Sequence, residues 1–287
     1  MHDAPLNARI GRTLPGPMFG ATATLSRPRG SIPAAWPPLA LLLAALWPHW
    51  AWMARRLTDG SDEPWGIVAV ITVLVLVARD RQRLVVPSRR ALAVSGALAI
   101  LAAITQFFVP PIFAAGVAML SLATFLSSAL PQRPAAPLAT LLLLALPVIA
   151  SLQFYLGYPL RALTAHSAAP LLQLFGFDVL AAGASLQWHD TTVLVDPPCA
   201  GIGMLWVGSF VAALLSYLNG AHAKRTLLNG MVAAALVLAA NVLRNAALFF
   251  PEAELVHWPE GAHRAIGLGA FALAIAPLVV FTHWNSK

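Results

Sequence analysis

The chain has 287 residues, of which 59% are hydrophobic and only 10% charged, with a mean hydropathy of +0.75; too little polar surface remains to coat a soluble globule, so a bilayer serves as solvent. The formal charge of +7 implies no nucleic-acid partner, because the arginines fall in short runs between apolar segments. Its single cysteine, Cys199, rules out an internal disulfide, paired-thiol redox chemistry and a cysteine-rich metal cluster, and neither a cofactor nor a metal is expected.

Residues 1–35 are rich in Pro, Gly, Ser and Thr with scattered arginines and read as a disordered cytosolic tail. Apolar segments follow at 36–54, 65–78, 91–109, 112–130, 138–157, 199–218, 227–249 and 264–282, most of them near the length needed to cross hydrocarbon. The expected fold is an all-α polytopic membrane protein with about eight transmembrane helices. Helices 1–5 occupy 36–157, and helices 6–8 occupy 158–287 together with a small extracytoplasmic helix-plus-hairpin insertion. Pro147 should kink the fifth span.

Orientation follows from the basic loops. Arg79, Arg81, Arg83, Arg89 and Arg90 after the second span, and Lys224 with Arg225 after the sixth, should stay in the cytosol. Arg55 and Arg56 then fall outside, beside Asp59, Asp62 and Glu63, as the exception to the rule.

The insertion runs from Tyr158 to Pro198. Residues 161–175 have mixed apolar and polar faces and predict a helix on the outer interface, stopped by Gly176. A hairpin should follow, with arms 184–188 and 191–195 around His189-Asp190, the second arm rich in β-branched residues. It leads to Pro197-Pro198-Cys199, where the fixed proline φ angles suit a first helical turn with Asp196 as N-cap. Cys199 is then expected in the first turn of the sixth span, reachable from water and from a membrane-held substrate.

Alternating spans bring Cys199, Arg244 near the end of the seventh span and His263 at the start of the eighth to one membrane surface. An arginine in an apolar span is either functional or a snorkelling side chain near the interface, and topology alone leaves both readings open. Asn241, three residues before Arg244, either orients it or bonds between helices. Gly201 permits close helix packing or close approach of a substrate backbone. His257 lies in the last outer loop and rivals His263. Glu252, Glu254 and Glu260 read as a solvated acidic loop, and His49, His166, His189, His222 and His283 as interfacial residues.

The run Leu163 to Val179, Gly183, Cys199-Ala200-Gly201-Ile202, Asn241-Val242-Leu243-Arg244 and His263-Arg264-Ala265-Ile266-Gly267 together resemble the exosortase/archaeosortase family over about half the chain. The resemblance implies a multi-spanning inner-membrane cysteine transpeptidase with its active site on the extracytoplasmic side. It implies Cys199 as nucleophile, Arg244 as electrostatic stabiliser and His263 as acid/base. The implied partner is a membrane-anchored exported protein with a C-terminal sorting signal: a Pro-Glu-Pro-like motif, an apolar helix and a basic cluster. The usual cysteine motif of the family reads Cys-Ser-Gly-(Ile or Leu)-Arg, whereas Ala200 and Gly203 stand here for the serine and the arginine. A reading of another class is a transporter or assembly scaffold for exported polymers, in which Arg244 and His263 line a solute path and Cys199 is incidental.

Overall fold

The computed structural model describes residues 34–60, 62–259 and 261–285, so the expected tail lies, but for its last two residues, outside the described residues. The chain forms α1 (Trp36–Ala45), α2 (Trp47–Thr58), α3 (Trp65–Arg79), α4 (Arg89–Thr105), α5 (Pro111–Ala129), α6 (Ala135–Leu144) and α7 (Ile149–Leu174). Three short strands follow, β1 (Leu180–Ala182), β2 (Ser185–Trp188) and β3 (Thr191–Leu194), then a 3-10 turn over Pro197–Ala200. The last three helices are α8 (Ile202–Leu218), α9 (Ala223–Glu252) and α10 (Ala262–Trp284).

Among the described residues four helical stretches are long and apolar enough to cross a membrane alone: Pro111–Ala129, Pro197–Leu218, Ala223–Glu252 and Ala262–Trp284. Joining α6 to α7 as one bent span makes up to five, and the protein is a multi-pass membrane protein. Of the eight expected segments, prolines divide two, and α3 with 15 residues and α4 with 17 are shorter than the four that qualify. The first divides at Leu46, and Pro48 stands in the first turn of the new helix α2, where a missing N–H costs nothing.

The second division is sharper, since α6 and α7 meet at 90° where a kinked continuous span was expected. Pro147 lies in the gap, lacks a donor and turns Leu146 away from helical geometry. The junction is held from outside the two helices. The Asp62 carboxylate accepts from the backbone N–H of Ala150 at 3.1 Å and of Glu63 at 2.8 Å, which satisfies a first-turn donor of α7. The Trp206 indole donates to the Leu144 carbonyl at 3.2 Å. Gly66 of α3 presses on the same place, for a Cβ there would stand 2.5 Å from the Ala145 oxygen.

Beyond the junction α7 runs on through Pro159 and Pro170, so the helix expected at 161–175 is its second half. Thr164, Ala165, Ala168, Ala169 and Leu172 are buried at helical spacing, and their packing on α9 and the sheet outweighs the backbone bonds that the prolines remove. The sheet is antiparallel in the order β1-β2-β3, with Leu186 opposite both Ala181 and Val193. Its first strand escaped sequence reading because Leu180-Ala181-Ala182 is short and alanine is a poor strand former.

Helix pairs are pinned by polar residues of the kind that bond in an apolar medium. Ser95 of α4 and Ser121 of α5 each donate to the other's carbonyl, at 3.0 and 2.8 Å, and Asn229 of α9 donates to Ser216 of α8 at 2.9 Å.

At one end of the helices Asp80, after α3, takes a two-pronged bond from Arg133, at 2.7 and 2.8 Å, and the Arg133 guanidinium lies 5.6 Å from the Tyr217 ring centre at the end of α8. The hydrogen bonds from Arg133 hold the Asp80 carboxyl below its ordinary value, the effect of its burial running the other way. A depressed carboxylate stabilises the fold above its unfolded pKa of about 4, and that contribution is lost as pH falls through the folded value. Thermal unfolding in detergent should therefore show a loss of stability below roughly pH 4, and Asp80→Asn should remove about 2 kcal/mol at neutral pH and flatten that acid limb. An unchanged acid limb in Asp80→Asn would reject this ion pair as its source.

Candidate active site

Cys199 lies in the 3-10 turn and not in α8, which begins at Ile202. Pro197 and Pro198 favour the tight turn, and Gly201, at φ +80°, reverses the backbone before α8 starts, a conformation that costs other residues about 1–2 kcal/mol. The Asp196 side chain makes no cap; its carbonyl accepts from the Cys199 N–H at 2.8 Å. Cys199 is 6% exposed, behind an exposed Pro198.

The turn is gripped from two sides. From α7, Gln153 donates to the Pro197 carbonyl at 3.0 Å and Arg161 to the Val195 carbonyl at 3.5 Å. From α9, the Asn241 and Asn245 amides both donate to the Cys199 carbonyl, at 3.0 and 3.3 Å. Asn241 is fully buried and also donates to Thr164 at 3.2 Å, while Asn245 donates to the Asn241 carbonyl at 2.8 Å. Asn241 thus bonds between helices, and its partner is the carbonyl of the cysteine itself. Gly201 is shaped by the same contact, for a Cβ there would stand 2.9 Å from the Asn241 Cγ. Asn245 was missed from sequence, although a second asparagine one helical turn after Asn241 in an apolar helix was a usable signal.

Arg244 of α9 lies against Gly267 of α10, where a Cβ would be 3.6 Å from the guanidinium Nε. Gly267 follows His263 by one turn, so the spacing that links them in sequence brings the arginine beside the histidine. Arg244 and His263 line one cavity of about 610 Å³ together with Pro198, Met204 and Leu268. Cys199 does not line it; its neighbour Pro198 does. The buried Nε of Arg244 finds no acceptor among the described residues, which leaves a donor beside this cavity.

His263 stands between two cavities. The second is lined by His263, His257, Glu252 and Glu254, and Arg244 is absent from it. Glu252 ends α9 instead of lying in a solvated loop, and its Oε1 is 4.0 Å from Nδ1 of His263. His257 is exposed in the loop and does not share a cavity with Arg244. Of the other histidines, His166 bonds the Ala162 carbonyl one turn back at 2.8 Å and His189 stacks edge-on to Trp188 in the β2–β3 turn.

A larger cavity of about 920 Å³ opens beside the turn, between the start of α3, the start of α7, the start of α8 and α10. Pro198, Met204 and Leu268 line both this cavity and the one holding Arg244 and His263, so the two adjoin. Gly203 faces the larger one, and nothing lies within 4 Å of where its Cβ would be.

Fold and site together define a multi-pass membrane protein whose one cysteine is clamped beside a cavity shared by an arginine and a histidine. A family model described as transmembrane exosortase (Exosortase_EpsH) matches residues 60–280, and the chain belongs to that family. Membership supports a membrane transpeptidase role in general terms. Neither the curated proteins nor the solved structures contain a match.

Proposed function

We propose that the chain is a cysteine peptidase or transpeptidase that cleaves the C-terminal sorting signal of an exported, membrane-anchored protein at the extracytoplasmic face of the inner membrane. The observation that carries it is the cavity shared by Arg244, His263 and Pro198, the residue next to the only cysteine. Cys199 passes its proton to His263, and the sulfur attacks the scissile carbonyl carbon to form a C–S bond. Arg244 donates to the oxyanion as it develops. Collapse breaks the C–N bond, and the leaving amine takes the proton from His263. Water or an acceptor amine then attacks the thioester, giving its proton through His263 to the departing sulfur, so the thiol is restored. The adjoining larger cavity, with Gly203 in its wall, is the space for the residues flanking the scissile bond.

The two ends of the helices support this sidedness. Asp80, Arg133 and Tyr217 meet at one end, beside the basic runs of 79–83 and 224–225, and the positive-inside rule assigns that end to the cytosol. Cys199, Arg244 and His263 lie toward the other end of α8, α9 and α10. We read α1 with α2 and α6 with α7 as one passage each, which with α3, α4, α5, α8, α9 and α10 makes eight, whereas by length and hydropathy alone four stretches, or five with the bent pair, reach across.

The test is co-expression with an exported reporter that ends in Pro-Glu-Pro, an apolar helix and a basic cluster. Wild type should shorten the reporter on a gel and Cys199→Ala should leave it at full length; shortening by Cys199→Ala would defeat the proposal. A membrane-impermeant thiol reagent that labels Cys199 only from the cytosolic face would overturn the sidedness.

A further inference from the structure

We infer that Glu252 is a positioning residue for His263, an assignment that rests on the transpeptidase reading above and deepens it. Glu252 closes α9, Ala262 opens α10, and Glu252 Oε1 lies 4.0 Å from His263 Nδ1. Among the described residues it is the acid that pairs with this histidine.

His263 lines two cavities, with Arg244 lining one and Glu252 the other, so the carboxylate and the guanidinium belong to different cavities that share this histidine. A carboxylate at Nδ1 keeps the proton on that nitrogen and leaves Nε2 as the acceptor for the thiol proton. When Nε2 takes that proton, the same carboxylate stabilises the imidazolium until the leaving amine collects it. At 4.0 Å the atoms are at ion-pair distance, longer than a hydrogen bond. Both side chains are about half exposed, Glu252 at 49% and His263 at 55%, so both can be reached from water.

The experiment measures the rate of reporter shortening, the amount of uncut reporter that co-purifies, and the abundance of the protein in the membrane. Glu252→Gln should slow shortening about ten- to a hundredfold while capture of uncut reporter and membrane abundance hold. Glu252→Asp, which keeps the charge on a shorter stem, should recover part of the rate, and Glu252→Gln should add nothing to His263→Ala. Wild-type rate in Glu252→Gln, a further loss on top of His263→Ala, or disappearance of Glu252→Gln and Glu252→Asp alike from the membrane would each overturn the assignment. If instead Cys199→Ala still shortens the reporter, the transpeptidase reading itself fails, a result separate from these three.

Discussion

Arg244→Lys will lose reporter processing nearly as completely as Arg244→Ala, and adding His263→Ala to either will cost little more. The guanidinium is planar and lies against Gly267, and its Nε is a buried donor without an acceptor among the described residues. Lysine keeps the charge on a flexible stem but offers no donor at that point, so it cannot replace the fork. Loss of one preorganised donor to an oxyanion costs about a hundred- to a thousandfold in rate. Groups that act in one step do not contribute additively, so the double variant should sit near the single ones. Gel-based rates for the three single and two double variants are the check. Retention of more than about half the rate by Arg244→Lys would reduce Arg244 to a general positive charge.

Gly201→Ala will destabilise the protein by about 2–4 kcal/mol and stop processing with it. Two effects add at this position: alanine dislikes φ +80°, and its Cβ would stand 2.9 Å from the Asn241 Cγ. Asn241 is fully buried, and displacing it strips the Cys199 carbonyl and Thr164 of a donor. Combining Gly201→Ala with Asn241→Ala removes the steric contact but leaves the strained φ, so the double variant should be less unstable than the sum of the two. Thermal unfolding in detergent measures this, and a melting temperature for Gly201→Ala equal to wild type would show that the turn is looser than described.

The membrane class and the stretch around Cys199 were legible because both rest on local signals: apolar runs of spanning length, and a rigid Pro-Pro beside a glycine. The right angle between α6 and α7 was legible only as Pro147. Its sharpness comes from Asp62, Gly66 and Trp206, which arrive from far along the chain, and no window of sequence contains them together. In the site, Arg244 and His263 stood out as polar residues in apolar surroundings, and His-x-x-x-Gly acquired a physical sense once Gly267 was found beneath the guanidinium. Cys199 was expected in the first turn of the helix, but a left-handed Gly201 separates it from α8, and sequence does not say whether a glycine takes positive φ. Glu252 read as a loop acid because it lies beyond the apolar segment 227–249; α9 runs on through Pro251 to Glu252, which is what carries the carboxylate to His263.

Trapping the acyl-enzyme tests the central claim most directly. Membranes from cells expressing the protein with the reporter, quenched in acid and separated without thiols, should contain a covalent adduct of the protein with the N-terminal part of the reporter. Neutral hydroxylamine should release that fragment, as it does from a thioester, and mass spectrometry should locate the link at Cys199. The account predicts this adduct in wild type and its absence in Cys199→Ala; shortened reporter without any hydroxylamine-sensitive adduct, or an adduct that survives Cys199→Ala, would contradict it.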